Sequence, residues 1–188
     1  MLSKLENRLI RYQPDNPLKG QGDQAAVLIA ITQSEHPGVL LTRRADGLSS
    51  HAGEVALPGG KRDSSDASLL DTALRESAEE IGLPAPRTRI IGRLRSFESK
   101  YGLDVTPFVG LIPQDLPLVI NRQELDTLFY VPLSFLLGDP RSSTDRIVRQ
   151  DEIYLAPVYI YQGHKIWGLT SRILVEFLNV GLDAKIPV

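Results

Sequence analysis

A pair of glycines followed by a short, acid-rich helix constrains this chain more than any other feature. Gly59-Gly60 lets the backbone turn sharply without a side chain intervening. The run Asp71-Thr72-Ala73-Leu74-Arg75-Glu76-Ser77-Ala78-Glu79-Glu80-Ile81 then reads as helix, ended by Gly82, a residue suited to a left-handed cap. In a helix from about 67 to 81, Glu76, Glu79 and Glu80 project from one side. Like charges so placed repel. No lysine run at the same spacing relieves them, so a divalent cation is the natural counter-ion, and magnesium or manganese bound through oxygen fits best. Zinc is disfavoured, because the chain has no Cys and His36, His51 and His164 are scattered. The plain alternative is a solvated acidic face on an ordinary surface helix, as an isolated Glu-x-x-Glu-Glu is usually read.

Length and composition set the frame. With 188 residues, 42% of them hydrophobic, a single domain spanning 1–188 is expected, carrying a short helical extension at about 1–15. The net charge of −2 gives no basic field for a long polyanion, so no nucleic-acid partner is expected. Absence of Cys fits a reducing compartment and excludes disulfides and a thiol nucleophile. Met1 to Asn7 lacks the apolar core of a signal peptide, and no apolar run reaches membrane-spanning length. A soluble, cytoplasmic protein without a membrane partner is therefore expected, its oligomeric state left open.

Along the chain, helical and strand patterns alternate. Leu2, Leu5, Leu9 and Ile10 recur at helical spacing before Pro14 and Pro17. Apolar runs at Ala25–Ile31 and Val39–Arg44, joined through His36-Pro37-Gly38, read as a hairpin. Further strands are expected at Ile90–Leu94, Val105–Ile112 and Ile153–Tyr161, with a last helix from about Ser171 to Val180. The fold class is α/β, a mixed sheet sandwiched between helices.

Gly60 to Leu83 resembles the Nudix box, whose usual form is Gly, five residues, Glu, seven residues, Arg-Glu, an apolar residue, any residue, Glu-Glu, any residue, Gly and an apolar residue. Arg75-Glu76, Glu79-Glu80, Gly82 and Leu83 match in place. Gly60 and Asp66 take the first two roles only if one extra residue is allowed, and Ser77 stands where an aliphatic residue is usual. Upstream, Leu40-Leu41-Thr42-Arg43-Arg44-Ala45 and His51-Ala52-Gly53-Glu54-Val55-Ala56-Leu57-Pro58-Gly59-Gly60 resemble the extra motif of coenzyme A pyrophosphatases. That Nudix subfamily carries the same longer spacing, with Asp in place of the first Glu. Leu57 departs from its usual Phe, and Ser49 from a common Arg, which removes one expected contact to substrate phosphate. The resemblance runs on through Val105-Thr106-Pro107-Phe108-Val109-Gly110, Val131-Pro132-Leu133 and Trp167-Gly168-Leu169-Thr170, from about Asn16 to Gly181.

The resemblance implies the Nudix fold and a diphosphate hydrolase using Mg2+ or Mn2+. It implies Glu76, Glu79, Glu80 and the Gly60 carbonyl as metal ligands, and Arg75 as the residue that orients the carboxylates. Glu79 also counts among the catalytic residues. Glu124 is the candidate general base or further ligand, with Glu98 as its rival. Arg43, Arg44, His51 and Lys61 are candidates for substrate phosphate, although His51 also fits a turn cap and Lys61, with Arg62, a solvated turn. Trp167 and Tyr130 are candidates to stack on adenine or to line the groove, or else core residues. The implied reaction converts coenzyme A, a small molecule, and water to 3′,5′-ADP and 4′-phosphopantetheine. The alternatives are a Nudix enzyme for ADP-ribose, a dinucleotide or a nucleoside triphosphate, and a non-catalytic nucleotide-binding module, which would be expected to have lost a metal carboxylate.

Overall fold

The structure, a computed structural model, describes residues 1–14, 23–48, 50–149 and 152–187. Ser49, one of the two departures from the upstream motif, lies outside them, as do Asn16 and Pro17. In chain order the elements are α1 (Leu2–Arg11), β1 (Gln24–Gln33), β2 (Gly38–Arg44), β3 (Val55–Ala56), β4 (Gly59–Lys61), α2 (Leu69–Ile81), β5 (Arg89–Arg93), β6 (Phe97–Glu98), β7 (Asp104–Pro113), β8 (Leu125–Pro132), α3 (Leu133–Leu137), β9 (Arg141–Arg149), β10 (Glu152–Tyr161), β11 (His164–Ile166) and α4 (Gly168–Leu182). The expected helices and strands are found with ends shifted by a few residues. Strands β3, β4, β6, β8, β9 and β11 and the short helix α3 go beyond the sequence expectation. In β9 the polar run Arg141-Ser142-Ser143-Thr144-Asp145-Arg146 has no apolar alternation, and it is held by its antiparallel ladder with β10.

The main sheet is mixed. Its path runs β3-β2-β1-β7-β5, with β4 on β1, β6 on β7 and β8 on β2. At its centre β1 and β7 pair in parallel over ten residues, from Gln24 opposite Asp104 to Gln33 opposite Pro113. Both faces of this pair are covered, and the side chains alternate between them with the two-residue period of a strand. Ala26, Leu28 and Ala30 meet Leu69, Ala73 and Ile81 of α2. Ala25, Ile29 and Ile31 face Leu5 and Leu9 of α1 and Ile173, Leu174 and Phe177 of α4. The result is the helix–sheet–helix sandwich expected.

The hairpin expected from Ala25–Ile31 and Val39–Arg44 forms only at its closed end. Strands β1 and β2 pair at Ile31 and Val39 and then separate. Into the gap comes the chain from β3, which pairs with β2, to β4, whose Gly59, Gly60 and Lys61 pair with Val27, Ala26 and Ala25 of β1. Gly59 makes this possible: its φ is +146°, and a Cβ there would lie 2.2 Å from the Ala26 carbonyl oxygen. The glycine turn is thus wedged between two strands, directly beneath α2.

Helix α1 is built into the core rather than appended to it. Leu5 and Leu9 are buried, and a Cβ on Gly181 of α4 would come within 2.4 Å of the Leu5 Cδ1 atom. Leu5→Ala should therefore cost about 2–5 kcal/mol in urea unfolding, as buried Leu truncations do. Ile10→Ala, at a position 64% exposed, should cost less than about 0.5 kcal/mol; equal effects would show that α1 is dispensable.

Candidate active site

Helix α2 begins at Ser68, whose hydroxyl accepts the Asp71 N–H, and ends at Gly82, which adopts a left-handed φ of 66° and donates to the Ala78 and Ser77 carbonyls. Ser77, at the position where an aliphatic residue is usual, is fully buried and donates to the Ala73 carbonyl at 2.6 Å. Its hydroxyl therefore carries no unmet hydrogen bond into the core. Both ends of the acidic helix are fixed independently of any ligand.

Arg75 organises the site. Its Nε and Nη2 donate to the two oxygens of Asp66 at 2.9 Å each, its Nη1 donates to Glu76 Oε1 at 2.9 Å and to Glu79 Oε2 at 3.1 Å, and Nη2 also reaches the Lys61 carbonyl at 3.2 Å. The two-pronged contact goes to Asp66, while Glu76 and Glu79 each receive one bond. Asp66 is buried, accepts further from Thr72 Oγ1 and the Asp63 N–H, and is held far below the usual carboxylate range, chiefly by Arg75. One guanidinium thus joins the 61–66 turn to the helix and partly neutralises its acids.

Glu76 and Glu80 face the glycine turn. Glu80 Oε2 accepts the Gly59 N–H at 3.0 Å. The Gly60 backbone lies so close to the Glu76 carboxylate that a Cβ would come within 2.5 Å of it. Burial pushes Glu80 up to about 7 and also raises Glu76; the charges of Glu76 and Glu124 raise Glu80 further, against the Gly59 hydrogen bond.

Glu124 arrives from the segment before β8. Val119 N–H donates to the Ile81 carbonyl and Asn121 N–H to the Glu80 carbonyl, stitching this segment to the end of α2. The Asn121 side-chain amide then donates to Glu124 Oε1 at 3.2 Å. Asn121 was not singled out from sequence, although an Asn whose own Oδ1 accepts the Gln123 N–H is a recognisable turn signal. The rival, Glu98, sits on β6, separated from β4 by β7 and β1.

The upstream cations divide. Arg44 lies close enough for its charge to act on Glu80, and its buried Nε has no hydrogen-bond partner among the described residues. Arg43 is instead engaged by Asp126 and Asp46. His51 Nδ1 lies 2.7 Å from Glu54 Oε2. Lys61 Nζ is exposed, 4.0 Å from Asp23, and Arg62 bonds Gln24 and the Asp66 carbonyl. Of the two aromatic candidates, Tyr130 packs into the α2-side core, and Trp167 stands at the start of α4 beneath the Lys165 ammonium.

Among the described residues no three acidic or imidazole side chains are already closed around a point that would hold an ion. Arg75 holds Glu76 and Glu79, and the Gly59 N–H holds Glu80. The donors nevertheless suit a hard divalent cation: every one is oxygen, the carboxylates are coupled by charge, and the Gly60 backbone approaches with no side chain in the way.

Comparison with known proteins agrees with this geometry. Residues 22–143 match the NUDIX domain family. The chain is 42% identical over 181 residues, 92% of its own length and 91% of the relative's, to a protein of Yersinia pestis named as the uncharacterized Nudix hydrolase NudL. The chain belongs to the Nudix family. The fold extends to a MutT/nudix family protein from Enterococcus faecalis, with TM-score 0.58, 17% identity and coverage of 90% of this chain and 65% of that one. It extends also to the NUDIX domain of Shewanella oneidensis NrtR, solved with ADP ribose, with TM-score 0.50, 22% identity and coverage of 68% and 82%. The chain is a Nudix hydrolase, of a class that acts on small molecules with divalent cations. No helix among the described residues is long and apolar enough to cross a membrane.

The raised Glu80 carboxyl has a measurable consequence. In the unfolded chain it titrates near 4.5 and in the folded protein near 7, so between these values the folded state holds more protons. Stability of the metal-free protein should therefore fall as pH rises from about 4.5 to 7, by up to about 3 kcal/mol. Chemical denaturation at pH 5 and pH 7.5 checks this: Glu80→Gln should flatten the profile, and added magnesium or manganese should recover wild-type stability at pH 7.5.

Proposed function

We propose that this Nudix hydrolase cleaves the diphosphate of coenzyme A or its derivatives, giving 3′,5′-ADP and 4′-phosphopantetheine or its acylated form. The observation that carries this reading is the placement of Arg44. Within the upstream segment that resembles coenzyme A pyrophosphatases, Arg44 lies close enough for its charge to act on Glu80, and Ala45 N–H donates to the Glu124 carbonyl at 2.9 Å. The segment that would read the substrate therefore abuts the one that would cleave it.

In this reading Glu76, Glu79, Glu80 and the Gly60 carbonyl hold magnesium or manganese. A cation bound there neutralises phosphate oxygens and acidifies the attacking water. The chain's own residues do the rest. Arg75, anchored on Asp66, sets the orientation of Glu76 and Glu79 and keeps their charges from driving them apart. Arg44 brings a buried Nε–H that has no partner among the described residues, and a positive charge, to the substrate's phosphate. Water adds to one phosphorus, the bridging P–O bond breaks, and the water's proton passes to Glu124, held by Asn121. Each half leaves as a phosphate monoester.

With magnesium or manganese present, Glu80→Gln should lower kcat by about a hundredfold to a thousandfold while the far-ultraviolet spectrum stays that of wild type, and wild-type turnover would remove Glu80 from the cation site. Gly60→Ala should push the Glu76 carboxylate aside and weaken manganese binding in calorimetry, with a smaller effect on unfolding. A panel of coenzyme A, acyl-coenzyme A, ADP-ribose, NADH and diadenosine polyphosphates, with product identification, tests the substrate. A clear preference for ADP-ribose would replace coenzyme A and leave the hydrolase intact.

A further inference from the structure

Tyr101 is an exposed aromatic on a turn that is held unusually firmly. Its side of the β6–β7 connection is closed by Ser99, whose Oγ accepts the N–H groups of Tyr101 at 3.3 Å and Leu103 at 3.1 Å. The Ser99 N–H donates to the Leu103 carbonyl at 2.8 Å, and the Gly102 N–H donates to the Ser99 carbonyl at 3.0 Å. Tyr101 is 70% exposed all the same. A lone exposed ring on a surface is ordinary. This one is tied to the catalytic end of the sheet.

The connection can be followed bond by bond. Ala45 N–H donates to the Glu124 carbonyl at 2.9 Å, Arg44 N–H to the Glu54 carbonyl at 3.0 Å, and Gly53 N–H to the Arg44 carbonyl at 3.1 Å. Glu54 thus lies two strand spacings, about 10 Å, from Glu124. The Glu54 carboxylate holds His51 Nδ1 at 2.7 Å, and the His51 imidazole meets the Tyr101 ring edge-to-face at 5.4 Å and 87°. His51 is itself fixed at a φ of 56°, inside the segment that leads to the Gly59-Gly60 turn. Lys100 Nζ lies over the Tyr101 ring, 4.8 Å from its centroid. Orientation of this aromatic is thus set through His51 and Glu54, whose backbone is tied through Arg44 and Ala45 to the segment that carries the candidate catalytic base.

We propose that Tyr101, braced by His51 and flanked by Lys100, is the platform on which the planar base of the substrate's nucleoside half stacks while the diphosphate lies against Glu76 and Glu80. The proposal rests on the reading of the substrate as a nucleoside diphosphate derivative, and it adds the subsite that selects for a base. Stacking on aromatic side chains tolerates any base, since every base has a π-face. Tyr101 then contributes to affinity for the nucleoside rather than to bond cleavage.

Tyr101→Ala should raise KM for coenzyme A about tenfold with kcat within twofold of wild type, and weaken binding of 3′,5′-ADP, followed by calorimetry without turnover, by a similar factor. Tyr101→Phe keeps the ring and should match wild type in both. If Tyr101→Ala leaves both KM and 3′,5′-ADP affinity unchanged, the platform is overturned. Should wild-type protein cleave ADP-ribose in place of coenzyme A, the coenzyme A reading fails alone: the same KM rise measured with ADP-ribose supports the platform, and an unchanged KM overturns it.

Discussion

The grip of Arg75 on Asp66 is the contact on which the acidic cluster depends. Two parallel N–H···O bonds of 2.9 Å tie the turn after Gly59-Gly60 to the second turn of α2. With the same guanidinium donating to Glu76 and Glu79, three carboxylates from two segments share one positive charge. Bidentate geometry fixes direction as well as distance, so the acids stay on the side of the helix that faces β4. Asp66 is consumed by this role: buried and hydrogen-bonded on every side, it is structural where Glu76 and Glu80 remain available. The extra residue between Gly60 and Arg75, an irregularity when the box is counted along the chain, is accommodated in this turn, which Asp66 closes from within.

The two glutamates nearest the glycine turn experience the opposite environment. Glu80 is buried, accepts the Gly59 N–H and feels the charge of Arg44, yet desolvation outweighs both and raises its proton affinity. Placing Glu76, Glu80 and Glu124 within each other's electric fields costs folding free energy, and it is the kind of cost that a site for a hard cation carries. Stability is traded for affinity toward something positive. The proposed substrate side draws on different elements: Arg44 ends β2, His51 and Glu54 stand just before β3, and Tyr101 lies on the β6–β7 turn. Arg44 is placed by β2 itself, and the others by turns anchored to neighbouring strands.

Much of the fold was legible along the chain because its signals are local. Ser68, Gly82 and the apolar positions between them mark α2, and the unbroken apolar runs of β1 and β7 are those of strands buried on both faces. The acids were legible for the same reason, since residues three and four apart in a helix share a side whatever surrounds it. Strand β9 was not, because its polar residues reveal nothing until β10 lies beside them. Nor was the part that Arg43 plays: it and Arg44 are adjacent and chemically identical, yet one is occupied by Asp126 and Asp46 while the other is left beside Glu80.

By itself the sequence determined the family, the capped helix with its three glutamates, and the glycine pair, all of which follow from short-range backbone preference and spacing. Tertiary structure alone decided that β1 and β2 open to admit the glycine turn, that Asn121 delivers Glu124 to the end of α2, and that Tyr101 meets His51 across fifty residues of chain. Those outcomes depend on which distant segments pair and in what register. No local preference encodes such a choice, because it is set by the burial of both faces of the sheet at once.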